Sequence, residues 1–421
     1  MYSLRSVARC AVTGLCSSLL LAAPAFASGS TPTAPAPAAP PAAAPKPASG
    51  GGAPQPGVMS KAGGGAAAAE PQVPAPKTDA ELASALKAVV DPMAAKGAFS
   101  GAVLVARGTK VLASGAWGLA DRTWNVPNRL DTRFNLGSMN KMFTAVAVLQ
   151  LVEQGKLSLE DPVSKHLGND WLPDEMAKQI TVRQLLNHTS GLGSYFTPQF
   201  QRSSRALFRT VDDFKPLVRE STLAFAPGTG WVYGNSNYVL LGAIIEKVTG
   251  RSYFDHVRER VYQPAGMKDT DCYDLDTVVP NLAVGYVRKE TPAGVVWRNN
   301  LFDHVIRGGP AGGGYSTVED LHRFVVALRA GKLVSKKTLA QMFTQEPLSL
   351  VKSAGERGYG QGFQLFPKDR VAGHSGGFVG ISANVDIYLD NDVVTVVLAN
   401  QERVALGISY QLREWLQKPQ T

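Results

Sequence analysis

Ser138 and Lys141 lie three residues apart in the stretch Phe134-Asn135-Leu136-Gly137-Ser138-Met139-Asn140-Lys141. Met142, Ala145, Val146, Leu149 and Val152 follow at three- and four-residue spacing, which predicts a helix beginning at Ser138. On such a helix the serine hydroxyl and the lysine amine share one face. A serine becomes a good nucleophile only when a neighbouring base takes its proton. Lysine can be that base where burial or nearby cations hold it neutral. A helix N-terminus also aims backbone N–H groups at an oxyanion formed beside the serine. The spacing alone fits an N-cap serine and a solvated lysine equally well, so partners elsewhere in the chain must decide.

Two further stretches carry suitable partners. In Pro227-Gly228-Thr229-Gly230-Trp231-Val232-Tyr233-Gly234-Asn235-Ser236-Asn237-Tyr238, Tyr233 and Asn235 are one residue apart just before a helical pattern. Both can project from a tight loop, the tyrosine as base or proton shuttle and the asparagine as an amide between Lys141 and a substrate carbonyl. In Gly373-His374-Ser375-Gly376-Gly377-Phe378-Val379-Gly380, glycines on an edge strand let the backbone approach a ligand closely. There Gly376 and Gly377 can bring the Gly377 N–H beside that of Ser138 as an oxyanion pair, with His374 supplying a proton or hydrogen bond toward Tyr233. Taken singly, Tyr233 reads as a packed aromatic, Asn235 as a helix cap and His374 as a structural histidine in a glycine turn.

The elements that must position these residues fall into three blocks. Asp79 to Lys96 patterns as an amphipathic helix, and Gly101–Ala106, Val111–Ala113 and Ala116–Asp121 as strands around an Arg107-Gly108-Thr109 turn. The middle is mostly helical: after the Ser138 helix come Thr181–Leu186, Val211–Glu220, Asn237–Val248, Tyr253–Tyr262 and Val318–Ala330. Strands return at Ile381–Leu389 and Val393–Leu398, and Leu406–Leu416 closes with an amphipathic helix. This order predicts an α+β fold, an antiparallel sheet built from both ends of the chain and flanked by helices, with the middle inserted as a helical lobe.

The 421 residues, 44% hydrophobic and 18% charged, suffice for a large core. Residues 1–27 differ: Arg5 and Arg9 precede an apolar segment from Cys10 to Ala25, and Ala25-Phe26-Ala27 forms a small-x-small cleavage site, so a secretory signal peptide is expected. Residues 28–77, rich in Ala, Pro and Gly, are expected to be a disordered linker, and 78–421 the folded domain. Export to the periplasm or outside the cell follows, with no membrane span after cleavage. Of three cysteines only Cys272 would remain, as a small core residue. The formal charge of +9, or +7 once Arg5 and Arg9 leave, suits anionic envelope surroundings. No basic cluster interleaved with aromatics points to nucleic acid. The six histidines form no metal-ligand motif, so neither metal nor cofactor is expected.

Together Ser138-Met139-Asn140-Lys141, Tyr233-Gly234-Asn235 and His374-Ser375-Gly376 occur in the order of the serine β-lactamase and penicillin-binding-protein superfamily. The chain most resembles its class C-like branch, which also holds D,D-peptidases and family VIII esterases. Leu185-Leu186-Asn187-His188-Thr189-Ser190-Gly191-Leu192 and Gly312-Gly313-Gly314-Tyr315-Ser316 extend the likeness, which spans Ala98 to Gln401. The resemblance implies the β-lactamase/transpeptidase-like fold and an acyl-enzyme route. Ser138 would be the nucleophile, Lys141 and Tyr233 the base system, Asn235 the residue orienting Lys141 and substrate, and the amides of Ser138 and Gly377 the oxyanion hole. His374 stands where class C β-lactamases usually carry lysine and would be a weaker, pH-dependent cation. That favours an esterase or D-amino acid peptidase over a β-lactamase, with small molecules, esters or cell-wall peptides as substrates. The alternative from another class is a non-catalytic envelope protein that binds peptidoglycan or a partner. Asn187 to Gly191 is expected to be structural.

Overall fold

The computed structural model describes residues 73–350 and 357–417. The expected signal peptide and residues 28–72 of the expected linker lie outside them. Val393–Ala399 reads Val-Val-Thr-Val-Val-Leu-Ala and is buried on both faces, which only a central strand allows. It sits within a seven-stranded antiparallel sheet made of β1 (Gly101–Arg107), β2 (Lys110–Trp117), β3 (Gly358–Tyr359), β4 (Gln364–Phe366), β5 (Val371–Phe378), β6 (Ile381–Tyr388) and β7 (Val393–Ala399). Their order across the sheet is β2-β1-β7-β6-β5-β4-β3, so the two ends of the chain meet where β1 pairs with β7.

Alternating side chains give the sheet two apolar faces. Val103, Val105, Val393 and Val397 pack with Leu82, Leu86 and Val90 of α1 (Asp79–Ala95) and with Ile408, Leu412 and Trp415 of the C-terminal helix Ala405–Leu416. Asp386 of β6 is buried on this side and takes two hydrogen bonds of 2.6 Å from Arg413. Ala102, Leu104, Val394, Val396 and Leu398 face the other way, into the helical lobe.

At the centre of that lobe is α2 (Asn140–Glu153), buried from Asn140 through Leu149 and again at Leu151. The expected apolar stripe is thus only part of its buried surface, as befits a helix surrounded by protein. Against it lies α4 (Asn235–Thr249), and against α4 in turn packs α3 (Val182–Asn187). The expected helix Tyr253–Tyr262 is α-helical to Val257 and then passes into a π turn over Arg258–Tyr262. Residues 286–299 form a hairpin that periodicity did not reveal. Among the described residues no helix is long and apolar enough to cross a membrane. Cys272 is buried in the lobe core, where burial pushes its thiol up to about 12.

Candidate active site

Ser138 sits in a 3-10 turn, Gly137–Met139, that runs directly into α2. A two-residue ladder pairs Phe134–Asn135 with Tyr315–Ser316 and fixes the approach to this turn. The Gly137 N–H donates to the Asn135 side-chain oxygen at 2.9 Å. Asn140, fully buried, braces the facing loop by donating to the Gly309 carbonyl at 3.2 Å and accepting from the Gly314 N–H at 3.2 Å.

Lys141 is fully buried one turn along from Ser138. Its Nζ lies 3.2 Å from Ser138 Oγ, 2.8 Å from Asn235 Oδ1 and 2.5 Å from the Ala311 carbonyl. No carboxylate is among these partners. Burial therefore pulls the lysine well below its ordinary value, because a cation there lacks both water and a counter-charge. The result is an amine able to accept the Ser138 proton.

Asn235 opens α4 and holds Lys141 through Oδ1, while its Nδ2 donates to Ser194 Oγ at 2.9 Å. Gly234 precedes it because a side chain there would stand 2.3 Å from the Leu192 carbonyl oxygen. Tyr233 places its ring 4.9 Å from Lys141 Nζ. Its buried hydroxyl makes no hydrogen bond of good geometry. Burial holds the phenol above its ordinary value, with the nearby Ser138 hydroxyl opposing that shift only in part. No cation lowers it, so Tyr233 is a neutral phenol suited to relaying a proton and not a standing phenolate base.

The third motif lies on β5, which is not an edge strand of the sheet as a whole. It pairs with β6 along its entire length but with β4 only over Val371–Gly373, because β4 is three residues long. Gly376 to Phe378 thereby keep one edge free, and the Gly137–Met139 turn packs against this part of the sheet. Contact is close: a side chain on Gly376 would begin 1.8 Å from the Leu136 carbonyl oxygen and 3.2 Å from the Ser138 nitrogen. One on Gly137, whose φ is +50°, would begin 2.9 Å from the Gly377 nitrogen. Gly377 itself borders open space. The backbone amides of Ser138 and Gly377 are thus neighbours at the mouth of the site, the arrangement an oxyanion requires.

His374 departs from expectation. It is buried, with Nδ1 donating to the Ser375 carbonyl at 2.6 Å, which leaves Nε2 to accept from Tyr359 Oη at 3.0 Å. Burial, then the nearby Lys141, push its imidazole down to about 3. It is not a pH-dependent cation near neutrality, and its hydrogen bond goes to Tyr359 and not to Tyr233. The sequence reading also missed the Ala311 carbonyl and Ser194, which no local motif singles out. Among the described residues no group of three or more His, Cys, Asp or Glu is placed to hold a metal ion.

The chain is similar to several known proteins. A penicillin-binding protein of Bacillus subtilis is 32% identical over 328 residues, covering 75% of this chain and 71% of that one. Esterase EstB of Burkholderia gladioli is 33% identical over 320 residues, covering 68% of this chain and 79% of its own. The solved structure of a D-stereospecific amidohydrolase from Streptomyces sp. superposes with a TM-score of 0.65 at 29% identity, over 80% of this chain and 99% of that one. The fold is accordingly β-lactamase/transpeptidase-like. With the family model described as Beta-lactamase matching residues 86–407, a span that takes in all three motifs, the chain belongs to the Beta-lactamase family.

Proposed function

We propose that this serine hydrolase is exported and works through an acyl-enzyme on Ser138, hydrolysing an ester or the amide of a D-amino acid peptide. The observation that carries the reading is Lys141: a fully buried amine without a counter-charge, within hydrogen-bond reach of Ser138 Oγ. As Oγ attacks the substrate carbonyl carbon, its proton passes to Nζ. Negative charge develops on the carbonyl oxygen and is met by the N–H groups of Ser138 and Gly377. Tyr233 gives its proton to the departing oxygen or nitrogen and regains one from Lys141. Water then attacks the ester, with Tyr233 assisting, and Ser138 is released. Asn235 keeps Lys141 aimed throughout.

In this reading residues 1–27 direct export, 28–77 tether the domain and 78–421 carry the chemistry, which suits cell-wall peptides as substrates. The relatives named as an esterase, a penicillin-binding protein and a D-stereospecific amidohydrolase support the substrate range. A β-lactamase is disfavoured because His374, buried and neutral, provides no cation for a substrate carboxylate. A binding-only protein would have no use for a desolvated lysine beside a serine. A panel of p-nitrophenyl esters, D-Ala-D-Ala peptides and a chromogenic cephalosporin tests the reading. Turnover of an ester or peptide, lost in Ser138→Ala, is expected; preferred turnover of the cephalosporin, or none of any substrate, would overturn it.

A further inference from the structure

We infer that His188 is the positioning residue for Tyr233, a role beyond the structural one expected for the segment Asn187 to Gly191. The inference rests on the proposed part of Tyr233 in proton transfer.

His188 grips Tyr233 from three sides. The N–H of Val232, just before the tyrosine, donates to the His188 carbonyl at 3.2 Å. The N–H of Gly234, just after it, donates to His188 Nδ1 at 3.3 Å. Between these anchors the Tyr233 ring lies 4.5 Å from the imidazole, centroid to centroid. Asn237, in the first turn of α4, adds a second donor to Nδ1 at 3.2 Å. Hence one residue fixes the backbone on both sides of the tyrosine, walls its ring and ties the loop to the helix that carries Asn235.

The chemistry of the imidazole matches this task and no other at the site. With two N–H groups directed at Nδ1, that nitrogen is an acceptor and the hydrogen belongs on Nε2. Protonation would set a third donor against the two already there, and burial pushes the imidazole well below its ordinary value, with Lys141 and His374 adding to the shift. His188 therefore does not act as a base. Its Nε2 is buried without a hydrogen-bond partner. An unpaired buried donor is unfavourable, so a position chosen for packing alone would favour an apolar ring. Its backbone is left-handed, with φ +66°, a region that asparagine also tolerates. Phenylalanine there would keep the wall and lose the acceptor; asparagine would keep an acceptor and lose the wall.

The test is a double-mutant cycle on the full chain, read as kcat and KM for a p-nitrophenyl ester and normalised to sites titrated by a fluorophosphonate. His188→Phe, His188→Asn and Tyr233→Phe are each expected to lower kcat by about 10- to 100-fold with KM nearly unchanged, as displacement of a proton-transfer group by about 1 Å does. In the Tyr233→Phe background the His188 substitutions should cost less than about threefold, because both act through one phenol. Full multiplication of the effects, or single His188 variants that keep wild-type kcat per titrated site, would overturn the inference. Wild-type kcat in Tyr233→Phe would overturn the proposed role of Tyr233 as well. His188→Asn, which keeps the acceptor and suits the left-handed backbone, tests the inference if His188→Phe fails to fold.

Discussion

Two adjacent glycines on β5 give opposite predictions from the same geometry. In Gly376→Ala the new carbon would stand 1.8 Å from the Leu136 carbonyl oxygen, where an ordinary C···O contact is about 3.3 Å, so strand and turn must separate by about 1.5 Å. That movement pulls the Gly377 N–H away from the Ser138 N–H. Loss of one oxyanion donor costs about 10²–10³ in kcat, or about 2.7–4 kcal/mol. Crowding a packed contact destabilises by about 1–3 kcal/mol, which leaves the domain folded. In Gly377→Ala the new carbon meets nothing within 4 Å, and φ is not in the left-handed region, so acylation by a small ester should stay within about threefold of wild type. Stopped-flow acylation with p-nitrophenyl acetate, beside thermal unfolding of each variant, makes the comparison. Were Gly376→Ala to acylate within threefold of wild type, or both alanines to be equally slow, the paired-amide account of the oxyanion hole would be wrong.

The other expectations concern protons. Lys141→Met should slow acylation by about 10²–10⁴-fold, the usual worth of a general base. Because burial sets the folded lysine below its ordinary 10.5, the unfolded chain binds more protons between the folded value and 10.5. Wild-type stability should therefore rise with pH across that window relative to Lys141→Met; urea midpoints at pH 6 and pH 9 that keep a constant difference would contradict this. In kcat/KM, the acid limb should belong to Lys141, with rate rising as the amine loses its proton. His374, held down to about 3, should contribute no inflection near the ordinary histidine value of about 6.5. A limb near that value that disappears in His374→Asn would show the imidazole titrating after all.

Much of the fold was legible because it rests on local pattern. The continuous apolar runs Gly101–Ala106 and Val393–Leu398 are strands buried on both faces, and Leu82 and Leu86 mark the buried face of α1. The short strands Gly358–Tyr359 and Gln364–Phe366 were not legible, since two or three residues carry no period; Gln364–Phe366 owes its state to pairing with β5, and Gly358–Tyr359 to pairing with Gln364–Phe366 in turn. Their shortness is also what leaves Gly376 and Gly377 a free edge. At the site, the spacing of Ser138 and Lys141 and the loop of Tyr233 and Asn235 could be read, and the structure brings these four together. The state of each group could not. Enclosure of α2 pulls Lys141 well below its ordinary value, burial raises the Tyr233 phenol, and His374 is uncharged because it is buried against Tyr359. Burial of this kind depends on tertiary packing that motif spacing does not express.

The central claim is that Ser138 is the acylated nucleophile with Lys141 as its base. Its most direct test is to label the full chain with a fluorophosphonate, digest it and map the modified residue by mass spectrometry. One adduct on the peptide carrying Ser138 is predicted, absent in Ser138→Ala and formed at least about 10²-fold more slowly in Lys141→Met. An adduct on another residue, or labelling that survives Ser138→Ala, would contradict it.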